Sequence, residues 1–212
     1  MYLVTDSDIL KGRDLIDILS GSLKAGLDMV QFRDKEAGDR DFLETGLKIK
    51  ALLKHKALFI INDRVHMAIA LDADGVHLGP TDMPVGIARK IIGKKKIIGV
   101  SAHSLKEALD AQKQGVDYIA IGVVFETPVK PGYRIAGPET LKEAVRKIKI
   151  PLVAIGGINE SNIKDVRGTG IKRIAVVRAI LEAKDSYLAT KKLIKACHCF
   201  GLRHRNDTIR DI

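Results

Sequence analysis

Aromatic side chains are scarce in this chain. Among 212 residues there is no Trp, and Phe and Tyr together make up 4%. The core must therefore be aliphatic, and no aromatic residues interleave with basic ones to stack nucleic-acid bases. Cysteine is scarcer still. Cys197 and Cys199 stand one residue apart near the end, which is no disulfide framework. With His198 between them they offer three ligands within three residues, too cramped to close a four-coordinate metal site. Long apolar runs are missing as well. None approaches the roughly 18 residues of a membrane span, so no membrane partner is expected. The opening Met1-Tyr2-Leu3-Val4-Thr5-Asp6 turns acidic too soon for a secretory signal, and a cytoplasmic location is expected.

Acidic residues are also in deficit. Asp and Glu number 26 against 36 Lys and Arg, a net charge of +10. The basic residues are spread among acidic ones on helical stretches, for example Lys48, Lys50, Lys54 and Lys56. That describes a solvated surface rather than a nucleic-acid stripe, and anionic small-molecule substrates would suit it equally. With 46% hydrophobic residues the chain can bury one sizeable core.

Eight short runs read as strands: Tyr2–Thr5, Met29–Arg33, Leu58–Asn62, Gly75–Leu78, Ile97–Val100, Tyr118–Gly122, Leu152–Ile155 and Arg173–Val177. Their Ile, Val, Leu and Ala content suits a parallel sheet buried on both faces. Amphipathic stretches separate them: Asp14–Ala25, Phe42–Leu53, Leu105–Gln114, Pro138–Ile148, Asn159–Val166 and Ala179–Ala196. Leu141, Val145 and Ile148 illustrate the helical spacing. A phrase also recurs at the helix-to-strand joints: Lys24-Ala25-Gly26-Leu27-Asp28, Lys113-Gln114-Gly115-Val116-Asp117 and Gly168-Thr169-Gly170-Ile171-Lys172, with Leu71-Asp72-Ala73-Asp74-Gly75-Val76 as a variant. A βα unit of about 25 residues repeated eight times predicts a single (β/α)8 TIM barrel over residues 1–196. An open doubly wound sheet, which needs fewer strands, ranks second. Residues 197–212 read as a basic, disordered tail.

In such a barrel, function lies at the C-terminal strand ends, and polar residues collect there. Alternation puts Gln31, Arg33 and Lys35 on one inward face, a set suited to a polyanion such as pyrophosphate. Asn62-Asp63 and Asp82 end the next two strands. Two neighbouring carboxylates can share a hard cation such as Mg2+ with substrate phosphate oxygens; a helix cap at Asp63 and a turn at Asp82 are the structural alternatives. Ser101 brings a hydroxyl to the fifth strand end, and Ser104 with Glu107 reads as a capping box. His103 has no evident acid partner in the sequence, so no nucleophilic triad is read. Thr127-Pro128-Val129-Lys130 occupies a long sixth loop whose lysine can swing over the mouth. Gly156-Gly157 and Val177-Arg178 are suited to a phosphate between the last two loops, with a tight turn as the alternative for the glycine pair.

Taken together, the segments Gln31-Phe32-Arg33-Asp34-Lys35, Ile61-Asn62-Asp63, Asp74-Gly75-Val76-His77-Leu78-Gly79, Gly99-Val100-Ser101-Ala102-His103, Thr127–Lys130 and Ile155-Gly156-Gly157-Ile158, in this order, resemble thiamine-phosphate synthases. The resemblance implies a transferase of thiamine biosynthesis. It would join 4-amino-2-methyl-5-hydroxymethylpyrimidine diphosphate to a thiazole phosphate (carboxylate), releasing pyrophosphate. By the same resemblance Gln31, Arg33, Lys35, Asn62, Ser101 and Lys130 would hold the pyrimidine diphosphate, with Arg33, Lys35, Ser101 and Lys130 acting in catalysis. Asp63 and Asp82 would hold one Mg2+. Thr127, Pro128, Val129, Gly156, Gly157, Val177 and Arg178 would hold the thiazole phosphate. The chain departs from the family pattern at Val129, where a second hydroxyl is usual, and at Arg178, where Ser is common. A thiazole tautomerase-like enzyme and a non-catalytic regulatory barrel are the alternatives, and homo-oligomerisation is left open.

Overall fold

The computed structural model describes residues 1–127 and 135–198. Eight strands run β1 (Tyr2–Val4), β2 (Met29–Phe32), β3 (Leu58–Asn62), β4 (Gly75–Leu78), β5 (Ile97–Ala102), β6 (Tyr118–Ile121), β7 (Leu152–Ile155) and β8 (Arg173–Val176). They form one closed barrel in sequence order, and β1 pairs in parallel with both β2 and β8. All eight runs expected from sequence are strands. Followed once around the barrel, the register steps by two residues within each of β3 (58 to 60), β5 (97 to 99), β6 (118 to 120) and β8 (173 to 175), eight in all. A stagger of eight is that of the (β/α)8 barrel.

The helices are α1 (Ser7–Leu10), α2 (Leu15–Lys24), α3 (Asp39–Leu53), α4 (Val65–Ala70), α5 (Val85–Ile92), α6 (Leu105–Lys113), α7 (Gly137–Lys147), α8 (Ile163–Arg167), α9 (Arg178–Leu181) and α10 (Ser186–His198). α1, α4 and α5 lie outside the amphipathic stretches expected from sequence; α1 and α4 span only four and six residues. The single stretch expected over Ala179–Ala196 is two helices, α9 and α10. Two interactions separate them. Arg13 donates to the carbonyls of Leu181 and Ala183, ending α9, and Asp185 Oδ1 accepts from Leu188 N at 2.8 Å, starting α10. On α7, Leu141 and Ala144 are fully buried and Ile148 follows at its end, whereas Val145 is 37% exposed. The apolar stripe thus runs through Ala144 rather than Val145. α10 extends through Cys197 and His198. Cys197 is half-buried against the core, and burial pushes its thiol pKa up. Cys199 and the rest of the expected tail lie outside the described residues.

The recurring joint phrase has a structural meaning at the floor of the barrel. Gly26, Gly115 and Gly170 take positive φ, and Asp72 takes the same left-handed region in the variant phrase. The aspartate that follows in three of the phrases then binds main chain. Asp74 Oδ2 accepts from Phe59 N at 2.7 Å, Asp117 Oδ2 from Ile98 N at 2.7 Å, and Asp28 Oδ1 from the Met1 amino group at 2.7 Å.

Alternation along each strand sorts the side chains. Leu3, Val30, Phe32, Ile61, Val76, Ile98, Ile119 and Ile174 face the helices, whereas Tyr2, Val4, Met29, Leu58, Ile60, Tyr118, Ala120, Val153 and Ala175 pack within the barrel. Inside, Tyr2 and Tyr118 meet edge to face with ring centroids 6.3 Å apart and hydroxyls 3.0 Å apart. Gly99 makes the room: a Cβ there would lie 2.0 Å from the Tyr118 ring.

Two expectations arise from this interior. Gly99→Ala should destabilise the fold by about 1–3 kcal/mol through overpacking. The loss should shrink when combined with Tyr118→Leu; urea unfolding of the single and double variants measures both. The second concerns pH. Burial raises the pKa of Tyr2, partly offset by bonds from Tyr118 and Gln31; burial and the neighbouring Tyr2 raise that of Tyr118. The unfolded phenols, near about 10, ionise first. Stability is therefore fully present below about pH 10 and lost as pH rises beyond it. Tyr118→Phe should make that alkaline loss shallower in denaturant titrations taken between about pH 9 and 12.

Candidate active site

A cavity of about 380 Å3 opens at the C-terminal ends of the strands. Gln31, Arg33, Asn62 and Ser101 line it from the side of β2, β3 and β5. Thr127, Gly156, Gly157, Val177 and Arg178 line it from the loops after β6, β7 and β8. Nine of the residues read from sequence thus converge on one space. Pro128, Val129 and Lys130 lie outside the described residues.

The first wall rests on a buried chain of hydrogen bonds. Gln31 Nε2 donates to the Tyr2 hydroxyl, which pairs with that of Tyr118. Tyr118 OH lies 2.9 Å from His77 Nδ1, and His77 Nε2 lies 3.0 Å from Ser101 Oγ. Two prospective ligands, Gln31 and Ser101, are therefore the ends of one network crossing the barrel interior. The raised tyrosine pKa values keep both phenols neutral at ordinary pH, so each donates and accepts. His77 has no role among the residues expected from sequence. Its signal was present: an imidazole at an inward position between outward-facing Val76 and Leu78.

Arg33 lies one residue past β2 and its guanidinium donates to Asp6 Oδ2. Lys35 corrects the sequence expectation. β2 ends at Phe32, so its alternation does not reach Lys35. Asp34 turns the chain, accepting from Glu36 N at 3.1 Å and Ala37 N at 3.0 Å. Lys35 pairs instead with Asp63 Oδ2 and does not line the cavity. Arg64 steadies this loop by donating to Ala37 O at 2.8 Å and Asp34 O at 3.2 Å.

Asp63 does not cap α4 and adopts φ +51° directly after Asn62. Asp82 closes a turn, with Oδ2 accepting from Gly79 N at 2.6 Å. Among the described residues, only Oδ2 of each carboxylate is hydrogen-bonded. Both retain a hard oxygen donor of the type Mg2+ takes, Asp63 directly after β3 and Asp82 in the turn beyond β4, and neither lines the cavity. No group of three or more His, Cys, Asp or Glu gathers among the described residues. A cation between these two would be completed by water and substrate oxygens.

On the opposite wall, Gly156 and Gly157 have φ of +103° and +67°. A Cβ on Gly157 would come within 2.6 Å of Phe125 O, so the pair lets the seventh loop press against the sixth. Arg178 Nε lies 2.9 Å from Glu182 Oε1, and Glu182 also borders the cavity. Ser104 caps α6 as expected, accepting from Glu107 N at 3.2 Å. His103 does have an acid neighbour, Glu107, at 3.3 Å from Nδ1; the turn of α6 brings together residues four apart.

The fold agrees with that of known proteins. The sequence profile described as thiamine monophosphate synthase matches residues 1–180. The chain is 45% identical over 194 residues to the thiamine-phosphate synthase of Clostridium tetani, covering 91% of this chain and 93% of that one. It is 42% identical over 196 residues to that of Ruminiclostridium cellulolyticum, covering 92% and 93%. Among solved structures, thiamine phosphate pyrophosphorylase from Pyrococcus furiosus superposes with a TM-score of 0.85 at 41% identity, covering 92% of this chain and 94% of that one. On the profile match and these identities, the chain belongs to the thiamine monophosphate synthase family.

Proposed function

We propose that the protein condenses 4-amino-2-methyl-5-hydroxymethylpyrimidine diphosphate with a thiazole phosphate (carboxylate), giving thiamine phosphate and pyrophosphate. One observation carries this reading beyond family membership. A single cavity has amide, hydroxyl and guanidinium groups on one wall (Gln31, Asn62, Ser101, Arg33) and a glycine pair with Arg178 on the other. Two walls of this kind suit two phosphorylated substrates held face to face.

In the proposed reaction, the bond between the pyrimidine methylene carbon and the diphosphate oxygen breaks, and its electron pair leaves with the diphosphate. The lone pair of the thiazole nitrogen then forms the new C–N bond, and where the thiazole carries a carboxylate its C–C bond breaks, releasing CO2 and leaving the electron pair on the ring carbon. No protein nucleophile is needed. The protein's part is to orient both partners, exclude water and stabilise charge on the leaving group. Gln31, Arg33, Asn62 and Ser101 would hold the pyrimidine diphosphate, with Arg33 and Ser101 closest to the developing charge. Lys35 and Lys130 would approach the diphosphate from their loops. Thr127 to Val129, Gly156, Gly157, Val177 and Arg178 would hold the thiazole phosphate. Asp63 and Asp82 would hold one Mg2+, which when bound supplies charge neutralisation for the departing diphosphate.

Retention of the cationic and carboxylate groups favours the synthase over a tautomerase-like or purely regulatory barrel, neither of which needs diphosphate machinery. The barrel to residue 196 would act as one catalytic domain. No helix among the described residues is long and apolar enough to cross a membrane. We read the protein as a cytoplasmic enzyme of small phosphorylated molecules, without a nucleic-acid or membrane partner.

A coupling assay with purified protein, Mg2+ and both substrates should yield thiamine phosphate and pyrophosphate in equal amounts. A folded protein that binds thiazole phosphate yet forms neither product would refute the synthase reading. Asp63→Ala should lower Mg2+-dependent turnover on the order of a hundredfold, the scale of losing one electrostatic contact to developing charge. Its unfolding midpoint should stay close to wild type, and full turnover at saturating Mg2+ would refute the metal role.

A further inference from the structure

Arg33 stands just beyond the last residue of β2, where the strand ladder no longer constrains it. It is held nonetheless, by two consecutive residues at the end of β1. Thr5 N donates to Gln31 O at 2.9 Å. Thr5 Oγ1 accepts from Arg33 N at 2.8 Å and lies 3.0 Å from Arg33 O, to which its hydroxyl donates. Asp6 Oδ2 accepts from Arg33 Nη1, while its Oδ1 accepts from Asp8 N at 3.2 Å. Main chain and side chain of Arg33 are thus both tied to one dipeptide.

Burial sharpens the point. Thr5 is 1% and Asp6 5% exposed, and both line the cavity. A buried carboxylate is costly unless paired, and beside an anion site it repels the ligand. A Ser or Thr would cap α1 without that repulsion. What a carboxylate adds is a charged acceptor for the guanidinium. Among the described residues one of the five N–H donors of Arg33 goes to Asp6, which leaves four for a ligand.

We propose that Thr5-Asp6 is a positioning clamp that aims Arg33 at the leaving diphosphate. The proposal rests on the reading of Arg33 as a diphosphate ligand. It assigns Asp6 and Thr5 no contact with the reacting atoms. They act through Arg33, removing the freedom that a long side chain at a strand end would otherwise have.

The test is calorimetric titration of the full chain with inorganic pyrophosphate at constant Mg2+. Asp6→Asn removes a negative charge next to an anion site, so Coulomb's law alone predicts tighter binding. The clamp predicts the opposite sign: about tenfold weaker binding, the scale of losing a supporting partner behind a ligand. In an Arg33→Ala background, Asp6→Asn should then cause no further weakening. Turnover should fall with Asp6→Asn while KM for thiazole phosphate holds. If Arg33→Ala leaves pyrophosphate binding intact, the Arg33 reading itself is wrong. If Arg33→Ala weakens binding but Asp6→Asn leaves it unchanged or tightens it, the clamp is wrong and Arg33 keeps its role. Should Asp6→Asn fail to fold, Thr5 decides: Thr5→Val should weaken binding and Thr5→Ser restore it. Equal behaviour of those two variants would overturn the proposal.

Discussion

Closure of the barrel is the constraint on which the rest of this structure depends. Eight parallel strands can close on themselves only with a fixed stagger and tilt, and here the register steps by eight residues around the ring. Closure forces every second side chain into a shared interior of limited volume. Two tyrosines and a histidine occupy part of that interior, and Gly99 at an inward position of β5 makes room for the Tyr118 ring. A Cβ on Gly75 would strike Ile97 O at 2.2 Å, so that glycine lets β4 lie close against β5. The same closure points all eight strand ends at one mouth, so side chains as far apart in sequence as Arg33 and Arg178 border one cavity.

The mouth is organised electrostatically by pairs. Arg33 has Asp6, Lys35 has Asp63 and Arg178 has Glu182. Each of these cations carries an orientation before any ligand arrives. The pairs differ in depth, because the Asp6 carboxylate is buried while the Lys35 ammonium is 46% exposed. Solvent screens the second pair far more than the first, so its strength as an ion pair is small. Preorganisation is accordingly concentrated at Arg33, on the inner wall. Lys35 and Asp63 sit on a loop and a strand end outside the cavity, where exchange with solvent ions is easier.

The network below the mouth is built of hydroxyls, an amide and an imidazole rather than of ion pairs. Gln31, Tyr2, Tyr118, His77 and Ser101 satisfy one another across the barrel. Such chains rigidify a site when every member is satisfied, because an unmade bond in a dry interior is costly.

Much was legible in the sequence because the signals were local. Strand runs were apolar and short, helix stripes had the right period, and the repeated phrase marked the joints with glycine at the positive-φ residue. Polar residues at strand ends revealed the cavity wall once a barrel was inferred. The sequence failed where a local rule was carried past its element. Alternation was extended from β2 to Lys35, beyond the point where Asp34 turns the chain, and helical periodicity was carried across the break that Arg13 and Asp185 impose. Side-chain period and turn chemistry act over a few residues, so the sequence alone determined the eight-fold βα repeat and the residue types at its ends. Which of those ends share a space was decided only by closure. Asp6 meets Arg33 and His77 meets Ser101 because the stagger sets their neighbouring strands in register, Tyr2 meets Tyr118 because β1 and β6 both point these residues into the shared interior, and no spacing in the chain encodes those pairings.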